Sequence, residues 1–397
     1  MGEDIYSGRE QTGVKHFILR EYVVRMAFKV ASFCDTITYI DGFSGPWNAV
    51  SDDFSDSSFA IALSELRKAR EVYNSKNREV KLRCFFVEKS RSAYARLRTF
   101  ADDIADAEVV TKRGTFEAAI PDVVEFVRRG GAKNFTLLFI DPTGWTGFSM
   151  ETLKPLLDLE RVELLINFMT SHIRRFVDSP DKVTQDSFER MFGNSSFRQR
   201  VQGLRFEEKE DALIHEYMMN LKHLGHFAYV AAAIILDPLI SRTHFHLIYA
   251  TRHPAGLHVF KEVERRAMDV MVSAQADAHQ KRRVDSSAQK ELFGSRDLYN
   301  PLHFQALRDG YIEKSRRLAR SLLEKRTRVP YDRAWKAAVS FPLVWESDLK
   351  SWIKIWEREG LLRIEGLSGK RRVPQVGENH TLVWQGHSSV KEPDNQE

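Results

Sequence analysis

Hydrophobic positions along the chain follow two periods in alternation. Residues 14–32 (VKHFILREYVVRMAFKVAS) place Phe17, Ile18, Tyr22, Met26 and Val30 at helical spacing, which predicts an amphipathic helix. ITYID (37–41) reads as a short strand ending in Asp41, and 59–76 as a helix. KLRCFFVEKS (81–90) reads as a strand ending in Glu88, with a helical pattern after it. AEVVTKRGTF (107–116) reads as strand and loop, and 117–129 as a helix. FTLLFIDPTGW (135–145) is an unbroken apolar run ending in Asp-Pro; a helix follows from about Glu151, then a strand, VELLINFM (162–169). Strands that are apolar throughout and alternate with helices predict a parallel sheet covered on both faces.

Residues 172–224 read as a helical insertion with turns at Ser179–Pro180 and Gly193–Asn194–Ser195. HFAYVAAAIIL (226–236) and THFHLIYATRH (243–253) are β-rich and joined by a short Asp/Pro/Ser loop, the pattern of an antiparallel pair at a sheet edge. Residues 256–283 read as one long helix, and 284–300 as a polar stretch broken at Gly294 and Asn300–Pro301. Three more helices are expected at 315–326, 330–339 and 346–359; the last carries Leu349, Trp352, Ile353 and Trp356 as a core stripe. A strand, a Gly-Ser-Gly-Lys-Arg-Arg turn and a second strand close this part, which resembles a winged helix-turn-helix. The expected organisation is an α/β domain over 1–285, a connection over 286–312, a winged helix over 313–386, and a disordered tail over 387–397.

Composition changes this picture little. At roughly 150 residues per domain, 397 residues suit two or three domains. Hydrophobic and charged contents of 43% and 29% suit a globular chain with a sizeable core. Cys34 and Cys84 are too few for a disulfide framework and lack CxxC spacing. The longest apolar run, Phe227 to Leu236, is about half of a membrane span. The start, MGEDIYSGREQTG, is polar and acidic, unlike a signal peptide. A reducing, cytoplasmic compartment is expected.

Charge changes the picture more. From Tyr311 to Arg372 there are 16 Lys/Arg and 8 Asp/Glu, an excess of eight. The whole chain carries only +5, so the remainder is slightly acidic. A basic module on an acidic body suits a polyanion such as nucleic acid, DNA or RNA, and equally a solvated helix face. Lys350, Lys354 and Arg358 fall on one face of the third predicted helix, and Lys370, Arg371 and Arg372 at the wing tip; these are the candidate phosphate contacts.

Ligands of an open parallel sheet bind at the carboxyl ends of its strands. Four such ends carry candidate chemistry. Asp41-Gly42-Phe43-Ser44-Gly45-Pro46 places two glycines where a ligand can approach backbone. Glu88 ends the second strand, where a carboxylate accepts hydrogen bonds from ribose hydroxyls. Gly114-Thr115-Phe116-Glu117 follows the third strand, and Asp141-Pro142-Thr143-Gly144-Trp145 the fourth. There is no GxGxxG after the first strand and no GxxxxGK[ST], against a dinucleotide oxidoreductase and a P-loop NTPase. His244 and His246 share one face of a strand, but with no HExxH and no converging carboxylates no metal site is assigned.

This layout resembles the class I S-adenosylmethionine-dependent methyltransferases, whose Rossmann-like sheet closes with an antiparallel pair. KHFILREYV (15–23), ITYIDGFSGP (37–46), LFIDPTGW (138–145), ELLINFM (163–169) and HFHLIYATRHPAGL (244–257) are similar to the three-Cys-motif partner proteins, a bacterial family regarded as methyltransferase-like. The resemblance implies S-adenosylmethionine as cofactor, held by Lys15, His16, Asp41, Gly42, Phe43, Ser44, Gly45, Glu88, Thr115 and Phe116, and a partner protein with a three-cysteine motif. Amino methyltransferases acting on adenine or cytosine share an Asp/Asn-Pro-Pro-aromatic motif. Here Thr143-Gly144 interrupts it, leaving Asp141 and Pro142 to orient the acceptor, with Asp141 as orienting group or base, and Trp145 to stack on it. A core position for Trp145 is the other reading. The leading expectation is a methyltransferase acting on nucleic acid. A non-catalytic binding protein of the same fold and a metal-dependent nuclease stand as alternatives.

Overall fold

The computed structural model describes residues 6–45, 51, 54–287, 294–295, 299–367 and 373–386. Two compact units divide at Pro301/Leu302.

The first unit follows a strand–helix alternation. Helix α1 (Glu10–Val30) leads into β1 (Thr36–Asp41), α2 (Ser58–Asn74), β2 (Lys81–Glu88), α3 (Arg91–Asp102) and β3 (Glu108–Arg113). Then come α4 (Phe116–Arg129), β4 (Asn134–Ile140), α5 (Met150–Leu157) and β5 (Val162–Phe168). Four helices follow, α6 (Thr170–Phe176), α7 (Lys182–Phe192), α8 (Phe197–Val201) and α9 (Phe206–Leu224). The unit closes with β6 (Tyr229–Leu236), β7 (Thr243–Thr251) and α10 (Pro254–Ser287).

The seven strands form one sheet in the order β3-β2-β1-β4-β5-β7-β6. Pairings from β3 through β5 are parallel; β7 runs antiparallel to β5 and β6 antiparallel to β7. This is a mixed α/β architecture consistent with a Rossmann-like methyltransferase fold. Strands β1, β4 and β5 are buried at every position because helices cover both faces. Helices α1, α2 and α10 pack on one face, and α4, α5 and α9 on the other. Strand β3 departs from the expectation of apolar strands: it lies at the sheet edge, and its Glu108, Lys112 and Arg113 are exposed. An edge strand needs apolar cover on fewer sides, and charge there discourages pairing with another chain.

One polar knot sits inside this core. Glu163 on β5 accepts hydrogen bonds from Tyr22 on α1 and from Thr251 at the end of β7 (2.7 Å); Tyr22 also meets the Tyr249 hydroxyl at 2.6 Å. Burial pushes the Glu163 carboxyl above its usual range. Gly256 is required beside it, because a Cβ there would lie 2.3 Å from the Tyr249 hydroxyl.

The second unit contains α11 (Leu302–Arg326), β8 (Arg328–Pro330), α12 (Tyr331–Val339), α13 (Glu346–Arg358), β9 (Leu362–Glu365) and β10 (Thr381–Trp384). Its antiparallel sheet has the order β8-β10-β9. Leu349, Trp352, Ile353 and Trp356 are buried, as the helical spacing required, and Trp356 meets Trp384 edge-on. Helix α11 begins at Leu302, inside the segment expected to be a connection (286–312). Asn300–Pro301, read as a break, stands directly before the helix, a position where proline costs no helical hydrogen bond. Arg308 holds this early part by bonding Asp348 (2.9 Å) and lying over the Trp345 ring (4.1 Å). Strand β8 is too short for any pattern to announce.

Charge is also distributed differently from the expectation. Helix α13 carries as many acids as bases, and Lys350 is paired with Glu346 at 2.6 Å. Lys354 and Arg358 remain exposed on that helix. Helix α11 carries seven Lys/Arg against three Asp/Glu, so the excess lies more on it. Lys370, Arg371 and Arg372 lie outside the described residues.

Tyr22→Phe removes one donor from the buried Glu163 and is expected to cost about 1–3 kcal/mol, the desolvation penalty of a buried group left short of a partner. Denaturant unfolding measures it; a loss below about 0.5 kcal/mol would mean the knot contributes nothing beyond packing.

Candidate active site

The parallel strands all point their carboxyl ends to one rim, and a cleft of about 440 Å³ opens there. That volume lies within the range of small-molecule sites, ~300–1,000 Å³.

The loop after β1 is shaped by Asp41. Its Oδ1 accepts the Phe43 N–H at 3.0 Å, and Oδ2 accepts the Ser58 hydroxyl at 2.5 Å and the Tyr39 hydroxyl at 3.3 Å. A short carboxylate bonding backbone two residues on is the turn chemistry expected of Asp. The Ser44 N–H donates to the Val87 carbonyl (2.8 Å), and the Gly42 N–H to that of Phe139 (3.0 Å). Gly42 is required by close approach: a Cβ would lie 2.8 Å from the Phe116 ring. Gly42, Phe43 and Gly45 line the cleft. Asp41 and Ser44 do not; both are fully buried behind the loop. Their assignment as cofactor contacts is therefore corrected to one of holding the loop in shape. Burial moves the Asp41 carboxyl up to about 6, with the Asp141 charge adding to the rise and the bonds from Ser58 and the Phe43 N–H opposing it.

Glu88 ends β2 and lines the cleft although it is only 3% exposed; its Oε1 accepts the Ser90 N–H at 2.5 Å. Thr115 and Phe116 line the cleft too, with Thr115 capping α4 through its hydroxyl, bonded by the Ala118 N–H at 3.3 Å. Asn or Ser would serve that cap equally, so the position of Thr115 has a structural cause beside any contact it makes.

Asp141 follows β4 and faces the cleft with Pro142. Its Oδ2 bonds the Lys15 ammonium and its Oδ1 accepts the Asn167 amide N–H at 2.6 Å. Lys15 is nine-tenths buried, and a buried ammonium requires such a counter-charge. His16, beside it, bonds the Tyr6 hydroxyl at 3.0 Å. Burial, reinforced by the Lys15 charge, lowers the His16 imidazole to about 3, so it is neutral near pH 7. Both Lys15 and His16 line the cleft.

Trp145 does not. It stacks on Phe188 (centroids 5.6 Å, planes 17° apart), meets Phe176 at 4.8 Å, and donates its indole N–H to the Ser187 hydroxyl at 3.2 Å. The expectation that it stacks on an acceptor is corrected: the helical insertion supplies an apolar wall, and the ring packs into it. Ten of the thirteen residues expected in the cofactor and acceptor sites thus line one cleft, the exceptions being Asp41, Ser44 and Trp145.

Other lining residues escaped sequence reasoning. Arg9, Gln11 and Thr12 come from the start of α1, and Asn167 from the next-to-last position of β5. Asn167 was legible in principle, because it interrupts an apolar strand near its carboxyl end as Glu88 ends another. His244 and Phe245 come from the amino end of β7. Being antiparallel, β7 brings its beginning to the rim where parallel strands bring their ends, which the rule of carboxyl ends does not foresee. His246, further along, is buried and bonds the Thr170 hydroxyl at 2.6 Å.

No family model and no curated protein matches the sequence. Among solved structures the chain is similar to a Legionella pneumophila str. Philadelphia 1 protein of the DUF519 family, at 10% identity and a TM-score of 0.35, over 65% of this chain and 91% of that one. It is similar to a loganic acid methyltransferase with SAH, at 10% identity and a TM-score of 0.30, over 70% and 87%. A methyltransferase-described protein from Thermobifida fusca YX matches at 11% identity and a TM-score of 0.29, over 59% and 81%.

Because folding raises the Asp41 carboxyl from 3.8 to about 6, the stability it contributes is complete below about pH 4 and is lost as the pH rises through 6. Relative to Asp41→Asn, the native chain should lose unfolding free energy across that window. Thermal unfolding at stepped pH tests this, and parallel curves for the two proteins would contradict it.

Proposed function

We propose that the chain is an S-adenosylmethionine-dependent methyltransferase acting on nucleic acid, DNA or RNA, and that its second unit is a winged helix that holds the substrate. The observation that carries the first part is the buried Glu88 carboxylate facing a cleft beside a glycine loop, with the ends of β1, β2 and β4 around it. A carboxylate at this place on a Rossmann-like sheet takes a ribose diol. The Ser90 N–H already bonds Oε1, which orients the carboxylate before any ligand arrives. Gly42 keeps the loop low enough for a ligand to reach its backbone. These residues suit the nucleoside of S-adenosylmethionine, whose sulfonium methyl would then face Asp141 and Pro142. The acceptor's nitrogen or oxygen is the nucleophile in this reaction, and the cofactor supplies the activated methyl.

The second unit supports the nucleic-acid reading by charge. Exposed Lys325 and Arg326 at the end of α11, with Lys354 and Arg358 on α13, are placed to neutralise phosphates. The element order, three helices with a three-stranded antiparallel sheet, is what a winged helix requires.

Calorimetric titration with S-adenosylmethionine tests the first part. Saturable binding is expected, weakened about 10- to 100-fold in Glu88→Ala, the range for losing hydrogen bonds to a charged group. No heat of binding in the native chain would end this reading. For the second part, the slope of log K against log salt for a DNA or RNA duplex should fall by about 2 when Lys354 and Arg358 are both changed to Ala. An unchanged slope would remove α13 from the contact surface.

A further inference from the structure

Strand β7 has one open position. All of its residues are buried except His244, which lines the cleft with 26% of its side chain exposed. A bulge puts it there. Ile235 pairs with Phe245 and Leu236 with Thr243, so His244 is the extra residue that β6 does not match. Bulges re-aim a side chain, and they gather beside active sites. The ring is also oriented. Its Nδ1 is buried and lies 3.8 Å from Oδ2 of Asp237, the residue that follows β6. That is longer than a hydrogen bond; catalytic contacts of this kind tighten when substrate binds. The Asp237 carboxylate is itself held. Its Oδ1 accepts the N–H groups of Leu239 (3.0 Å) and Ile240 (3.1 Å), and its Oδ2 accepts from the Arg242 guanidinium (3.2 Å). A carboxylate facing Nδ1 draws the neutral ring's hydrogen to that nitrogen and leaves the lone pair on Nε2. No described residue bonds Nε2, and unlike Nδ1 it is open. Burial lowers the imidazole below its usual range, the Asp237 charge opposing the fall and Arg242 and His172 adding to it, so the ring is neutral near pH 7.

We propose that His244 is the catalytic base of the transfer and Asp237 its positioning residue, so that the methyl acceptor is a hydroxyl, the ribose 2′-OH of RNA. This deepens the methyltransferase reading above and rests on it. An amine brings a lone pair to the methyl group and sheds its proton afterwards. A hydroxyl is a weak nucleophile until its proton leaves, so it needs a base at the moment of attack. Asp141, the other candidate for that task, has both oxygens engaged, Oδ2 by the Lys15 ammonium and Oδ1 by the Asn167 amide. Thr143-Gly144 also stands where the amino methyltransferases carry Pro-aromatic. Inside a nucleic-acid chain the sugar hydroxyl on offer is the 2′-OH, which DNA lacks. In the transfer, the hydroxyl oxygen forms the new O–C bond as the methyl carbon–sulfur bond breaks. The sulfonium becomes a neutral thioether, and the O–H proton passes to His244 Nε2. The Asp237 charge steadies the imidazolium so formed, which then releases the proton to water.

The test uses the full chain with S-adenosylmethionine labelled in its methyl group and random-sequence single-stranded pools, RNA and DNA in parallel. Products are digested to nucleosides and the labelled position is identified. Label on the ribose 2′-oxygen of RNA is expected, with the DNA pool unlabelled. His244→Gln keeps a polar side chain but cannot take up the proton. It should lower the labelling rate about 100- to 10,000-fold while cofactor affinity is retained, which shows that it is folded. In the native chain the rate should rise with pH as His244 loses its proton. Asp237→Asn keeps an Oδ1 for the Leu239 and Ile240 N–H groups but removes the charge that favours the imidazolium. It should move that rise to lower pH and lower the plateau, whereas a merely structural Asp237 would leave the rise where it is. Label on a base would overturn the proposal whatever the variants do. So would a native rate in His244→Gln, an unmoved pH profile in Asp237→Asn, or cofactor binding with no labelling of RNA. If His244→Gln loses the cofactor, the position of the label and the Asp237→Asn profile decide. Absence of cofactor binding to the native chain would instead overturn the methyltransferase reading itself.

Discussion

Lys15 is an ammonium group buried to nine-tenths between α1 and the sheet, and Asp141 is the charge that permits it to be there. Taking either out of water alone is costly; together they offset each other's charge, and the Asn167 amide N–H bonds the same carboxylate. The cluster joins three elements distant in sequence: α1, the end of β4 and the end of β5. It fixes the first turns of α1 over the strand ends, so that Arg9, Gln11 and Thr12 become one wall of the cleft. Removing one partner would leave the other charge uncompensated, and the wall would lose its anchor.

Polar chemistry gathers at that rim for a general reason. Strands covered on both faces have no place for side chains that need water or partners, so β1, β4 and β5 stay buried along their length. A polar group inside the sheet needs partners, as Glu163 has in Tyr22 and Thr251. At the carboxyl ends the chain leaves the sheet, backbone N–H groups become available, and carboxylates can face a ligand. Strand β7 adds His244 and Phe245 to the same rim because it runs the other way.

Much of this was legible beforehand. Asp41, Glu88 and Asp141 each follow an apolar run, and period alone locates them. Their roles were less legible. Asp41 and Glu88 look alike in sequence, yet Asp41 turns inward to Phe43 and Ser58 while Glu88 lines the cleft. Both carboxylates accept the N–H two residues on; Asp41 is in addition bonded by the Ser58 and Tyr39 hydroxyls and is 0% exposed. Trp145 looks like a stacking platform because it follows Asp-Pro; Phe176 and Phe188, from helices that no local pattern connects to it, pack its half-buried ring against the core instead. Charge behaved in the same way, since counting placed cations on α13 while Glu346 pairs with one of them.

The sequence by itself determined the elements, the strand ends and the candidate carboxylates, because period and turn chemistry act over a few residues and need no distant partner. Only the tertiary structure decided which side chains meet. Asp141 and Asn167 are 26 residues apart in the chain and 2.6 Å apart in space, a contact set by the parallel register of β4 and β5. Lys15 reaches the same carboxylate from 126 residues away. Spacing along one element tells which face a residue occupies. Whether that face meets a charge, an aromatic wall or an open cleft depends on elements brought beside it by folding, and no local pattern encodes those.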